Sequence, residues 1–186
     1  MKRITFVGNL DNGMGTINSY LKLLPEDLCK VPFNNNDSIR KQIDTLPYHF
    51  TLSAWDIKQK EKVINILSNI NDSKFKILVN NIDILYGKEN SYVLCFCIEK
   101  SDILYSIQKD IYDKIPSDKY NPDYFNFHIT IHIDKDYDKI ISMRDKLLKK
   151  FTPFEIEISE LELYEIYPAK LIDTFKLDNN KLKMLK

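Results

Sequence analysis

Tyr48-His49-Phe50-Thr51-Leu52-Ser53-Ala54-Trp55 and Phe125-Asn126-Phe127-His128-Ile129-Thr130-Ile131-His132-Ile133 carry the same four-residue pattern, His-x-Thr-apolar. Both runs are rich in β-branched and aromatic residues, the composition of strands. Residues i and i+2 of a strand project to one face. His49, Thr51 and Ser53 are therefore expected on one side of the first strand, with Tyr48, Phe50 and Leu52 on the other. In the second, Asn126, His128, Thr130 and His132 form the polar side, and Phe127, Ile129, Ile131 and Ile133 the apolar side. The apolar sides should pack against helices. The polar sides should line a solvent-filled cleft, because a buried polar group without a partner costs about 1–3 kcal/mol.

Outward from these runs, the two halves of the chain repeat. His49 to Phe75 spans 26 residues, as does His128 to Phe154. At an offset of 79 (128 − 49), Ile77 falls on Ile156, Val79 on Ile158, Ile82 on Leu161 and Ile84 on Leu163. The intervening helices align at an offset of 77, with Val63 on Ile140, Ile64 on Ile141, Ile66 on Met143 and Ile70 on Leu147. The difference is an ordinary loop adjustment.

The remaining elements follow from period and punctuation. A strand is expected at 4–7, a turn-rich loop at 8–15, and a helix at 17–24 stopped before Pro25. A short helix capped by Asp37 or Ser38 should run to Ile43. Residues 75–79 and 82–86 read as strands or as one long bent strand. The apolar run 92–98 reads as a central strand covered on both faces. Ile103, Ile107, Ile111 and Ile115 mark a helix that Pro116 ends. Ile140, Ile141, Leu147, Leu148 and Phe151 mark the next. Residues 154–166 alternate strongly, and 171–177 make the last strand.

Each half thus reads strand, helix, His-strand, helix, strand. A duplicated architecture is expected because internal repeats fix topology. One domain, 1–186, should comprise two pseudo-symmetric lobes, approximately 1–90 and 91–186, with strands free to exchange between them.

At 186 residues with 44% apolar content, the chain can fill a real interior. Lys+Arg and Asp+Glu balance at 27 each. That neutrality argues against binding long duplex, which relies on neutralising many phosphates, but allows a small anionic substrate or a nucleic-acid end. The three cysteines, Cys29, Cys95 and Cys97, are odd in number, and two lie in an apolar run. Buried thiols in a reducing compartment are expected rather than a disulfide framework, with a redox-active Cys95-Phe96-Cys97 pair the less favoured reading. The basic start at Lys2-Arg3 leads into an apolar run too short for a signal peptide. No run approaches the ~20 apolar residues of a membrane span. A cytosolic location is expected.

An imidazole with an ordinary pKa near 6.5 holds or releases a proton around neutrality. One neutral imidazole can take a proton from an attacking water, and one imidazolium can protonate a leaving oxygen; general acid–base catalysis of this kind contributes about 10²–10⁴-fold. The hydroxyls of Thr51 and Thr130, stiffly held on β-branched side chains, can donate to non-bridging phosphate oxygens. His49 and His128 are the candidate catalytic residues, and Thr51 and Thr130 the candidate substrate-binding residues. No cofactor is expected. No metal is expected either: His128 and His132 lie ~13 Å apart along a strand, too far for one ion held at about 2 Å. His132 reads as a rim residue touching substrate.

The paired motif within a repeat resembles the two-histidine (2H) phosphoesterase superfamily, which includes RNA 2′,3′-cyclic phosphodiesterases of the 2′-5′ RNA ligase type. The resemblance spans nearly the whole chain. It implies an α+β, bilobal, duplicated fold, with two antiparallel sheets lining a central cleft and helices on the outside. It implies that His49 gives a proton to the leaving oxygen, that His128 activates water, and that Thr51 and Thr130 bind phosphate. Many relatives open the last strand with a tyrosine; here that region is Ala169-Lys170-Leu171, and the nearest tyrosine, Tyr167, is displaced. Tyr124 and Phe125, just before the second motif, could stack on a base or simply cover a strand start.

The expected activity is metal-independent cleavage of a cyclic phosphate or 2′-linked phosphodiester in RNA ends or nucleotides, by a monomer. Two alternatives use the same cleft: hydrolysis of second messengers such as 2′-5′ oligoadenylate or cyclic oligonucleotides, and a non-catalytic RNA- or nucleotide-binding module.

Overall fold

The computed structural model describes residues 2–25, 46–69, 73–117, 119–166 and 169–178. The helix expected up to Ile43 lies outside them, as do Cys29, Ile70 and Tyr167.

Eight strands and four α-helices follow one another along the described chain: β1 (Arg3–Asn9), α1 (Met14–Leu21), β2 (His49–Asp56), α2 (Lys60–Leu67), β3 (Phe75–Tyr86), β4 (Tyr92–Ile98), α3 (Asp102–Lys114), β5 (His128–Asp134), α4 (Tyr137–Leu148), β6 (Phe154–Ile158), β7 (Glu160–Ile166) and β8 (Lys170–Lys176). Side chains cap two of the helices. Ser101 accepts from the Leu104 N–H at the start of α3, and Asp136 from the Lys139 N–H at the start of α4.

The strands pair antiparallel in the order β6-β3-β4-β5-β2-β1-β7-β8. Two sheets are expected from the sequence; hydrogen bonding joins the strands into one, with β2 and β5 as the central neighbours. Their junction is a single ladder pair, Phe50 opposite Ile129. Beyond that rung other groups take over the edge of β2. The Gln108 amide donates to the Leu52 carbonyl at 2.9 Å and the Ser117 hydroxyl to the Ala54 carbonyl at 2.7 Å. The two halves of the order, β6-β3-β4-β5 and β2-β1-β7-β8, therefore meet at one rung. Only Ser159 separates β6 from β7, although they belong to opposite halves. The sheet curls to permit this connection.

Several expectations shift in detail. The first strand runs on through Gly8 and Asn9, which the sequence assigns to a turn. Residues 75–86 form one strand, with Asn80 as an extra residue opposite β4. The alternating run 154–166 divides at Ser159. In α3 the buried stripe is Leu104, Ile107, Gln108 and Ile111, while Ile103 is 38% exposed. Four-residue spacing drifts around a helix of 3.6 residues per turn, so the i, i+3, i+7 set centres on the core better than an i, i+4 ladder does.

One apolar cluster unites the helices with the sheet, including Ile17 and Tyr20 of α1, Val63 and Leu67 of α2, Ile107 and Ile111 of α3, and Ile140 and Leu147 of α4. Phe50 and Ile129, the two residues of the central rung, are fully buried in it. Gly8 sits opposite Phe50 in the β1–β2 register, and a Cβ at Gly8 would lie 1.9 Å from the Phe50 ring. Glycine is required there by close approach.

Candidate functional site

The central rung determines where the repeated motif lies. Phe50 and Ile129 are equivalent positions of the repeat, and they face each other across an antiparallel pair. One residue to either side, His49 comes level with Thr130, and Thr51 with His128. Alternation turns all four to the face opposite the buried Phe50 and Ile129, where each is half-buried. His49 and His128 are diagonal neighbours across the seam, a relation that separates residues by roughly 7–8 Å. The structure thus brings together the four residues selected from sequence.

Each imidazole is held the same way. His49 Nδ1 lies 2.8 Å from the Pro47 carbonyl, and His128 Nδ1 lies 2.8 Å from the Asn126 carbonyl, in each case two residues back along the chain. A carbonyl only accepts, so Nδ1 carries the hydrogen and Nε2 is the titrating atom.

Both histidines are held below the ordinary imidazole value. For His49 the largest cause is burial; the Pro47 carbonyl opposes it, and the nearby charge of His128 adds to it. For His128 burial again dominates, opposed by the Asn126 carbonyl. A group depressed in the folded state contributes stability above its unfolded pKa, and that stability is lost as pH falls through the folded value. Here the loss sets in below about pH 6.5.

An acid–base reaction run by this pair would inherit the same depression in its pH dependence. One imidazole charged and one neutral is most populated between the two folded values. The pH profile of kcat/KM should be bell-shaped with its maximum below about pH 6.5. A bound phosphate favours imidazolium and raises both values, so the kcat profile should lie at higher pH. A maximum above neutrality in kcat/KM, or a steady rise with pH, would contradict this.

Two expected members of the polar face are absent from it. Leu52 is an extra residue between the Phe6–Ser53 and Val7–Thr51 pairs, and Ile131 an extra residue between the Leu94–His132 and Cys95–Thr130 pairs. These β-bulges stand at equivalent places in the repeat (131 − 52 = 79). Each resets the alternation. Ser53, expected beside His49 and Thr51, is 4% exposed. His132, expected at the rim, is 3% exposed, with Nε2 3.5 Å from an Asp134 oxygen. Plain period-2 reading cannot register an inserted residue. Burial raises the Asp134 pKa, but bonds from Lys139 and from the Asp136 and Lys135 N–H groups outweigh it and hold the carboxyl well below its usual range.

Phe125 packs near the His128 ring at 6.3 Å and against Phe127 at 5.3 Å between centroids, whereas Tyr124 is exposed. Sequence reading missed a polar group beside His49. Asn9 is the β1 partner of His49. Its amide donates to Glu162 at 2.9 Å, its oxygen accepts from the Asp11 N–H at 2.8 Å, and the Tyr164 hydroxyl donates to Glu162 at 2.8 Å. Glu162 is buried. Glu162 stands in an alternating run, Glu160-Leu161-Glu162-Leu163, where nothing in the sequence separates it from its exposed-looking acidic neighbours.

Among the described residues, no helix is long and apolar enough to cross a membrane.

No family model matches the sequence, and no curated protein is similar to it. Solved structures are. Apo LigT of E. coli superimposes with a TM-score of 0.59 at 13% identity, covering 95% of this chain and 98% of LigT. TT0787 of Thermus thermophilus gives 0.56 at 12% identity, with 96% and 99% covered. Usb1 of Kluyveromyces marxianus gives 0.50 at 11% identity, with 95% and 98% covered. LigT has been crystallised with ATP, NADP+, phosphate and 3′-AMP. The likeness is one of fold: the chain takes, over nearly its whole length, the fold of LigT, TT0787 and Usb1, which are members of the 2H phosphoesterase superfamily.

Proposed function

We propose that this protein is a metal-independent phosphodiesterase that opens a cyclic phosphate, or cleaves a 2′-linked phosphodiester, at an RNA end or in a nucleotide. The observation that carries this reading is the pairing of two Nδ1-anchored imidazoles and two threonine hydroxyls around one rung of the sheet. The shared fold with phosphoesterases, and the phosphate and nucleotides bound by LigT, support it.

His128 Nε2 takes a proton from water as the water oxygen attacks phosphorus. His49 Nε2 gives its proton to the departing ribose oxygen. A cyclic phosphate thereby becomes a monoester, and proton exchange with solvent resets the pair. Thr51 and Thr130 donate to the non-bridging oxygens, where charge grows in the transition state. The two halves of the chain act as lobes of one catalytic unit, each supplying one histidine and one threonine.

The test is a substrate panel with chelator present: 2′,3′-cyclic nucleotides, RNA ending in a cyclic phosphate, and 2′-5′ oligoadenylate. Turnover that survives EDTA supports the proposal. A requirement for a divalent ion, or tight binding with no turnover of any substrate, refutes it.

Thr51→Val and Thr130→Val preserve shape and remove only the hydroxyl. Each should weaken kcat/KM and inhibition by inorganic phosphate by roughly tenfold to a hundredfold, the worth of a hydrogen bond to a charged group, about 1.5–3 kcal/mol. Phosphate inhibition unchanged in both variants would remove the threonines from the site.

A further inference from the structure

β4 carries two thiols to the face that holds the motif. The register sets Cys97 directly opposite His128 and Cys95 directly opposite Thr130. Directly opposed residues in an antiparallel pair have Cβ atoms about 4.5–5.5 Å apart. Both cysteines are free, Cys95 buried and Cys97 half-exposed. The expectation of a strand covered on both faces therefore fails at Cys97.

Position divides their roles. Cys95 Sγ lies 3.5 Å from the Asp83 carbonyl, inside the structure. Cys97 is the sulfur that solvent reaches. The Cys95 thiol beside it holds Cys97 below the ordinary thiol value, and Cys95 itself is pushed far up, chiefly by Cys97 and by burial. A half-exposed, acidified thiol next to a buried thiol is the arrangement of an oxidisable sulfur with a resolving partner.

We propose that Cys97 is a modification site for hydroperoxides, and that its oxidation product with Cys95 shuts down the neighbouring histidine pair. The Cys97 thiolate attacks the peroxide: an S–O bond forms, the O–O bond breaks, and the departing hydroxide or alkoxide takes up a proton. The Cys95 thiol then attacks the sulfenic sulfur: an S–S bond forms, the S–O bond breaks, and water leaves. Sulfur supplies both electrons, and the peroxide receives them. Two strand steps separate the Cα atoms by about 6.6–6.8 Å, the upper end of the range a disulfide tolerates. The product is therefore strained and readily reduced by a dithiol, and its formation draws β4 inward beneath His128 and Thr130. The loss of turnover rests on the phosphodiesterase reading; the sulfur chemistry does not.

The experiment treats the full chain with hydrogen peroxide, then with dithiothreitol. Peptide mass mapping, inorganic phosphate binding and hydrolysis of a 2′,3′-cyclic nucleotide are read in parallel. The expected result is loss of two hydrogens in the peptide holding Cys95 and Cys97, and a fall in turnover on the order of 10²-fold, the effect of ångström-scale misplacement of a reacting group. Dithiothreitol should restore both. Cys97→Ser and Cys97→Ala should resist peroxide, Cys95→Ser should stop at a dimedone-reactive sulfenic acid, and Cys29→Ser should behave as the parent protein. Equal peroxide sensitivity in both Cys97 variants, a linkage through Cys29, or a Cys95–Cys97 bond that leaves phosphate binding and turnover intact would each overturn the proposal. If no form turns over any substrate, the functional reading fails, while mass mapping and phosphate binding still decide the site.

Discussion

His49→Ala and His128→Ala should each lower kcat/KM for the best substrate of the panel by about 10²–10⁴-fold, the usual contribution of general acid or base catalysis. Inorganic phosphate should still bind, because the Thr51 and Thr130 hydroxyls remain. The double variant should be little worse than either single one, since the two groups serve one step. The pH profiles assign the roles. Loss of the proton donor removes the alkaline limb, and loss of the acceptor removes the acidic limb. His49→Ala should therefore flatten the profile above its maximum and His128→Ala below it. Residual activity within tenfold of the parent in either variant would refute the pairing, and exchanged limbs would reverse the assignment.

The second large effect is on stability. Phe50 occupies one end of the single rung between β2 and β5, is fully buried, and stands over Gly8. Phe50→Ala should destabilise by about 3–5 kcal/mol, the cost of removing an aromatic ring from a core that cannot collapse around the hole. Gly8→Ala forces a methyl group into that ring, at a cost of about 1–3 kcal/mol. The two sites are coupled, so combining Gly8→Ala with Phe50→Leu should cost less than the sum of the single changes. Urea midpoints and slopes measure all of these. A Phe50→Ala cost below about 1 kcal/mol would show that the rung is not packed as described.

The His-strands, their apolar faces and the four polar residues at the seam could be read directly from sequence, because a two-residue period and a 79-residue offset encode them (128 − 49). Sheet connectivity could not. Nothing in residues 154–166 marks Ser159 as the point where the chain leaves β3 for β1. Gly8 and Asn9 look like a turn, yet Gly8 serves the close passage of an aromatic ring, and Asn9 ends beside His49. The positions of Ser53 and His132 depend on one inserted residue each, which leaves composition unchanged and inverts everything downstream of it. Asn9, Glu162 and Tyr164 are drawn together from distant parts of the chain by hydrogen bonds that no local pattern announces.

A sheet whose halves share one rung at its centre is fastened a second time at its rim, because Ser159 alone links β6 of one half to β7 of the other. Asn12 adds to that fastening by donating to the Glu157 carbonyl at 3.0 Å. Two fastenings make a frame where one would make a hinge: neither half can turn about the rung without pulling on the backbone at Ser159. The polar side chains nearest the rung are thereby kept at a set spacing by a connection far from them in the sheet.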